Sequence, residues 1–179
     1  SVMIARAAGN LVFPAKFVLV AAMNPCPCGF AGDSEKACNC SVRQVIAYQQ
    51  RISGPILDRF DLSVTVPRLE FKKLTSENNG EDSVTIKKRV ELARERQRSR
   101  FDGLDCLTNA EMNSMLVRNF CQLDESSKKL LEQAVARLSL SPRAYFRVIK
   151  LARTIADLAG SDEISQAHVA EALQYRQRV

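Results

Sequence analysis

At 179 residues, 46% hydrophobic and a net charge of +6, the chain can bury one modest core or divide into two small ones. No window approaches the ~20 apolar residues of a membrane span and no signal-peptide pattern opens the sequence, so the expectation is a cytoplasmic protein with no membrane partner. The positive balance permits contact with a polyanion and is weak evidence for it alone.

In chain order, Val2 to Ile4 and Leu11 to Phe13 flank the turn-like Ala8-Gly9-Asn10 and predict a β-hairpin. Pro14 ends its second arm, because proline donates nothing to a ladder. Phe17 to Met23 is a continuous apolar run of strand length, as for a strand covered on both faces, and it delivers Asn24 at its end. A cysteine-bearing loop follows, with Gly29, Gly32 and Asp33 as turn residues, then a short helix over Val42 to Gln50 capped by Ser41. Leu62 to Val66 predicts a second core strand, stopped by Pro67.

The polar stretch 75–82 reads as a linker, separating a first domain over 1–74 from a helical domain over 83–179. Within the latter, Ser83 is placed to cap a helix running to Arg100 ahead of Gly103. Helices follow over Ala110 to Asn119 and Glu125 to Leu138. Another starts at Ser141-Pro142 and ends before Gly160, and the last runs from Ser165 to about Tyr175.

Four of the six cysteines, Cys26, Cys28, Cys38 and Cys40, form two C-x-C pairs nine residues apart. Two tight pairs in one short loop favour structural Zn²⁺ held by four thiolates, although zinc pairs usually have two or more intervening residues. Unligated thiols, an iron–sulfur cluster or disulfides stay open as alternatives. Cys106 and Cys121 read as small buried residues. The single histidine, His168, sits at N3 of the last helix, where capping or surface exposure is its simplest role. With His168 so placed and no other histidine, the sequence argues against a Ser-His-Asp triad or a multi-His metal site.

The Phe17–Leu62 stretch contains AAMNPCPCG and SGPILDRFDL, and the helical part contains SPRAYFRVIKLART and ARTIADLAG. Together these strongly resemble the magnesium-chelatase-like branch of the AAA+ ATPases. The resemblance implies an α/β AAA+ core fragment, comprising the second half of a parallel sheet with a pre-sensor-1 hairpin, followed by an all-α lid domain. It implies sensor 1 at Asn24, an arginine finger at Arg59 and the sensor 2 arginine at Arg143. Asn24 and Arg143 would then bind ATP with its Mg²⁺.

Each role has a plainer rival. Asn24 can simply form a turn before Pro25, and Arg59 can pair locally with Asp58 or Asp61. Arg143 lies where a helix N-terminus already favours anions, while Arg147, one turn on, reads as a surface or interface charge. Arg6 and Lys16, in and beside the hairpin, are candidate DNA-phosphate contacts or ordinary surface charges. The basic helix with Lys87, Lys88, Arg89, Arg94, Arg96, Arg98 and Arg100 reads foremost as a solvated face.

No G-x-x-x-x-G-K-[ST] phosphate loop is present, and neither Asp-Glu pair ends an apolar strand, so Walker A and Walker B are both absent. The family keeps both upstream, so the expectation is part of a longer ATPase that does not hydrolyse ATP by itself. The whole would be a homo-oligomeric, hexameric, DNA-acting motor for branch migration in recombination or natural transformation. The alternatives are a motor subunit of a porphyrin-metallating magnesium chelatase and a non-enzymatic, zinc-stapled DNA-binding or assembly module.

Overall fold

The computed structural model describes residues 1–7, 9–68 and 80–176. It is mostly helical, with one small antiparallel sheet, and divides into two compact units, Ser1–Gln49 and Gln50–Val179.

The first unit opens with strands β1 (Val2–Arg6) and β2 (Gly9–Phe13), in register from Val2 opposite Phe13 to Arg6 opposite Gly9. The hairpin is as expected, with a shifted turn: Gly9 and Asn10 already belong to β2, and Ala8 lies outside the described residues. Helix α1 (Val42–Gln49) closes the unit, with the Ser41 hydroxyl accepting from the Gln44 amide.

The expected strands Phe17–Met23 and Leu62–Val66 are not formed, and the described residues contain no parallel sheet. Phe17, Val18, Leu19 and Val20 are exposed, as are Leu62, Val64 and Val66. The reason is that a strand is not a local structure. Its backbone N–H and C=O groups need a neighbour's, and its side chains need a covering layer. Among the described residues neither segment has a ladder partner.

The second unit begins with the short helix α2 (Gly54–Leu57), which has a proline in its first turn. The first five residues of the expected linker, 75–79, lie outside the described residues. Helix α3 (Ser83–Arg100) is capped by Asp82, whose carboxylate accepts from the Thr85 amide at 2.8 Å, rather than by Ser83. A carboxylate, which accepts from the amide with a full negative charge, takes the cap one residue earlier. The predicted 110–119 helix is instead a single 3₁₀ turn (Asn109–Glu111) and helix α4 (Ser114–Phe120), restarted by the side chain of Asn113. Helices α5 (Glu125–Leu138), α6 (Pro142–Leu158) and α7 (Gln166–Gln174) follow the sequence reading closely.

The core of this unit centres on α6. Val148, Ile149, Ala152 and Ala156 pack against Leu131 of α5 and Val169 and Ala172 of α7, all nearly inaccessible. Phe101 and Phe120 meet edge to face at 5.7 Å. At the centre lies a charged network. The buried Asp157 carboxylate accepts from Arg100 at 2.5 and 2.8 Å, from Asn109 at 2.8 Å and from Arg153 at 3.2 Å. Arg153 in turn donates to the carbonyls of Ser161 and Asp162, so the two buried charges are hydrogen-bonded throughout.

Candidate functional site

The cysteine loop is built by tight turns. Gly29 and Gly32 take φ of 83° and 82°, a region open to glycine at little cost. The Asp33 carboxylate holds the next turn by accepting from the amides of Glu35 and Lys36. These bends bring all four cysteines together, with their sulfurs within 4.8 Å of one another. The Sγ atoms of Cys26 and Cys28 are 3.4 Å apart, those of Cys28 and Cys38 3.5 Å, and those of Cys26 and Cys38 3.7 Å. Disulfide sulfurs would sit at ~2.05 Å, so the thiols are free. A tetrahedral zinc with ~2.3 Å arms spaces its sulfurs by about 3.8 Å. The cluster therefore fits a metal such as zinc.

Its electrostatics agree. Hydrogen bonds from the backbone amides of Phe30 and Asn39 pull the Cys28 thiol down to about 6. At Cys38 the Cys40 amide acts in the same direction, but burial and the neighbouring sulfurs outweigh it and push the thiol up to about 12. Four crowded thiols cannot all ionise without a cation, and a metal supplies one. The Ala31 amide donates to the Cys26 sulfur at 3.3 Å.

Asn24 lies exposed two residues before this loop, without the supporting strand. Arg6 is exposed at the hairpin's end and Lys16 just after it.

In the second unit, the segment carrying Arg59 is wound tightly. The Asp58 amide donates to the Gly54 carbonyl, that of Arg59 to Ile56 and that of Phe60 to Leu57. The aspartates beside Arg59 do not pair with it. Asp58 accepts from Arg176 at 3.0 Å and from the Ser141 hydroxyl at 3.3 Å, while Asp61 pairs with Arg147 at 3.0 Å. Arg147 also donates to the Arg59 carbonyl, Arg176 points to that of Phe60, and the Ser63 amide donates to Tyr175 at 2.8 Å. The Arg59 guanidinium is left exposed, bonded to the Pro55 carbonyl of its own short helix and in no ion pair among the described residues.

Arg143 is exposed on the first turn of α6, whose N-cap Ser141 accepts from the Ala144 amide. It lines an open pocket of about 270 Å³ with Arg147 and Lys150, over Met112, Val117 and Phe146. Burial pulls the Lys150 ammonium down from the usual lysine range. The structure thus brings the Arg59 loop onto the helix that carries Arg143.

The basic face of α3 is largely neutralised. Lys87, Arg89, Arg96, Arg98 and Arg100 pair with Glu91, Glu81, Asp162, Glu95 and Asp157 respectively. His168 caps α7, its Nδ1 accepting from the Ser165 amide at 3.1 Å. The sequence reading missed the contacts of Arg147 and Arg176 and the Asp157 network. The one available signal for the network was an arginine and an aspartate four apart in the apolar ARTIADLAG segment.

Residues 1–74 match the family profile described as magnesium chelatase, subunit ChlI, and residues 80–176 match the one for the ChlI C-terminal region. The chain belongs to the magnesium chelatase ChlI family. Among curated ChlI-family relatives it is 43% identical over 180 residues to the competence protein ComM of Haemophilus influenzae, covering 99% of this chain and 34% of that protein. It is likewise 43% identical over 176 residues to the YifB protein of Escherichia coli, covering 97% of this chain and 33% of the relative. An uncharacterized protein of Mycobacterium tuberculosis is 36% identical over 174 residues, covering 97% of this chain and 34% of its own length. The chain spans about a third of the length of these relatives. No described helix is long and apolar enough to cross a membrane.

Proposed function

We propose that this chain supplies the nucleotide-sensing and interface-closing part of an ATP- and Mg²⁺-dependent ring motor acting on DNA, with branch migration in recombination or natural transformation as its task. The observation that carries this reading is the state of Arg59. Its two aspartates are occupied by Arg147 and Arg176, and its guanidinium stands exposed. Among the described residues Arg59 is in no ion pair, so a local pair, its plainer role, has no support there. An exposed guanidinium in no ion pair among the described residues suits stabilising the charge that spreads over a transferring phosphoryl group in an adjacent subunit, an effect worth roughly 10³–10⁵ in rate.

Arg143 belongs to the same surface. It lies one helical turn before Arg147, which touches the Arg59 backbone, so both arginines are suited to one nucleotide, that of the neighbour. Asn24 would orient water at the γ-phosphate once its strand is paired. Zn²⁺ on Cys26, Cys28, Cys38 and Cys40 would staple the loop beyond it. Arg6 and Lys16 would meet DNA phosphates from the hairpin. The name of the Haemophilus relative, a competence protein, supports DNA as the substrate.

The test is ATP hydrolysis by the complete protein, with and without branched DNA, beside Arg59→Ala. The reading expects DNA-stimulated turnover that collapses in the variant while the ring persists; full turnover in Arg59→Ala would reject it. A second reading, a magnesium chelatase motor subunit, is favoured by the description of both matching profiles. Turnover indifferent to DNA would select it.

A further inference from the structure

We infer that Arg147 and Arg176 are positioning residues for Arg59, clamping its loop to the helical domain so that α6 and the segment after α7 set where the guanidinium points. The inference rests on the reading of Arg59 as an arginine finger and adds how the finger is aimed.

The contacts divide the loop's groups with little left over. Arg147 takes the Asp61 carboxylate at 3.0 Å and the Arg59 carbonyl. Arg176 takes the Asp58 carboxylate at 3.0 Å and reaches the Phe60 carbonyl at 3.5 Å. The Ser141 hydroxyl adds a second donor to Asp58, and the Ser63 amide donates to the Tyr175 carbonyl. The chain from Asp58 to Ser63 is thus held at both carboxylates and at two successive carbonyls, and the Arg59 side chain is the group those anchors release.

Both arginines are suited to the work because they are largely covered, their side chains 22% and 11% exposed, whereas surface cations hold such geometry poorly. Ser141 has a double task. As N-cap it fixes the first turn of α6, which bears Arg143, and its hydroxyl faces Asp58. A shift of α6 relative to the loop must therefore move Arg59 and Arg143 together. The guanidinium fork matters at Arg147, since one planar group serves a carboxylate and a carbonyl at once, which an ammonium matches less well.

The experiment uses the complete protein and single-turnover hydrolysis of radiolabelled ATP, so that slow rates are measurable. Arg147→Gln is expected to lower the rate tenfold or more with the KM for ATP within twofold and ring size unchanged. Arg147→Lys should recover part of the loss. Because Arg147 acts through Arg59, the double variant Arg59→Ala/Arg147→Gln should be no slower than Arg59→Ala alone. Asp61→Asn, which breaks the same pair from the loop side, should reproduce the defect and serves if Arg147→Gln does not fold. A full rate in both Arg147→Gln and Asp61→Asn, with Arg59→Ala inactive, would overturn the clamp and leave the finger standing. A double variant much slower than Arg59→Ala would overturn it too. Full turnover in Arg59→Ala would remove the finger and the clamp with it.

Discussion

Arg59 owes its exposure to its neighbours, and the cysteines owe their reactivity to theirs. Cys38, pushed up to about 12, is protonated at neutral pH and must lose that proton to ligate a metal. Metal-free protein should take up about one equivalent of Zn²⁺ per chain and acidify an unbuffered solution as it does so. Cys38→Ser should lose most of this uptake, and unchanged stoichiometry by titration would exclude the four-thiolate site. Cys121 lies outside the cluster, and burial pushes its thiol up to about 11, despite nearby Arg153 and Arg100. It should therefore resist alkylation at pH 8 in the folded protein, while Cys28 of the metal-free loop, pulled down to about 6, reacts. Mass spectrometry of the labelled peptides checks this, and early labelling of Cys121 would contradict it.

Among the elements, α6 is both the packing centre and the carrier of charge. Asp157 is buried beneath two arginines and Asn109, so Asp157→Ala strands buried guanidinium groups and should destabilise the helical unit by about 3–5 kcal/mol. Chemical denaturation measures this directly, and a loss below about 1 kcal/mol would show the network to be dispensable. Ser139, at the end of α5, holds φ of 48°, a left-handed conformation costly to a residue with a Cβ. Ser139→Gly should accordingly add up to about 1 kcal/mol in the same assay. The Asp82 cap gives a pH signature. Hydrogen bonds from the Thr85 hydroxyl and amide hold its carboxyl below the usual aspartate range. Its contribution is complete above the unfolded value of ~3.9 and is lost as pH falls through the lower folded value. The acid-induced loss of helicity of α3 should lessen in Asp82→Asn, whose amide side chain does not titrate there.

Helix positions were legible because their causes are local. Asp124, Ser141 and Ser165 each lie beside the helix they start, and the 3.6-residue apolar period lies within each element. The strands were legible only as apolar runs. Whether Phe17–Met23 pairs depends on a neighbour that no periodicity within the run can supply.

At the scale of the whole molecule, this asymmetry becomes a prediction about folding. The helical unit has a buried core, whereas the residues at 17–20 and at 62–66 expose most of their apolar surface. Hydrogen exchange on this chain should find slow amides in α5, α6 and α7 and fast ones at 17–23 and 64–66. Strong protection of both runs in a monomer would contradict it. The sequence by itself determined the family, most of the helices and the four-cysteine cluster, because motifs, caps and close-spaced ligands are properties of short segments. Only the tertiary structure decided that Asp58 and Asp61 belong to Arg176 and Arg147 rather than to Arg59. The Arg59 carbonyl and its donor Arg147 are 88 residues apart, and Asp58 and Arg176 are 118 apart. Side chains at such separations meet only where helix packing carries them, and a linear pattern holds no record of that distance.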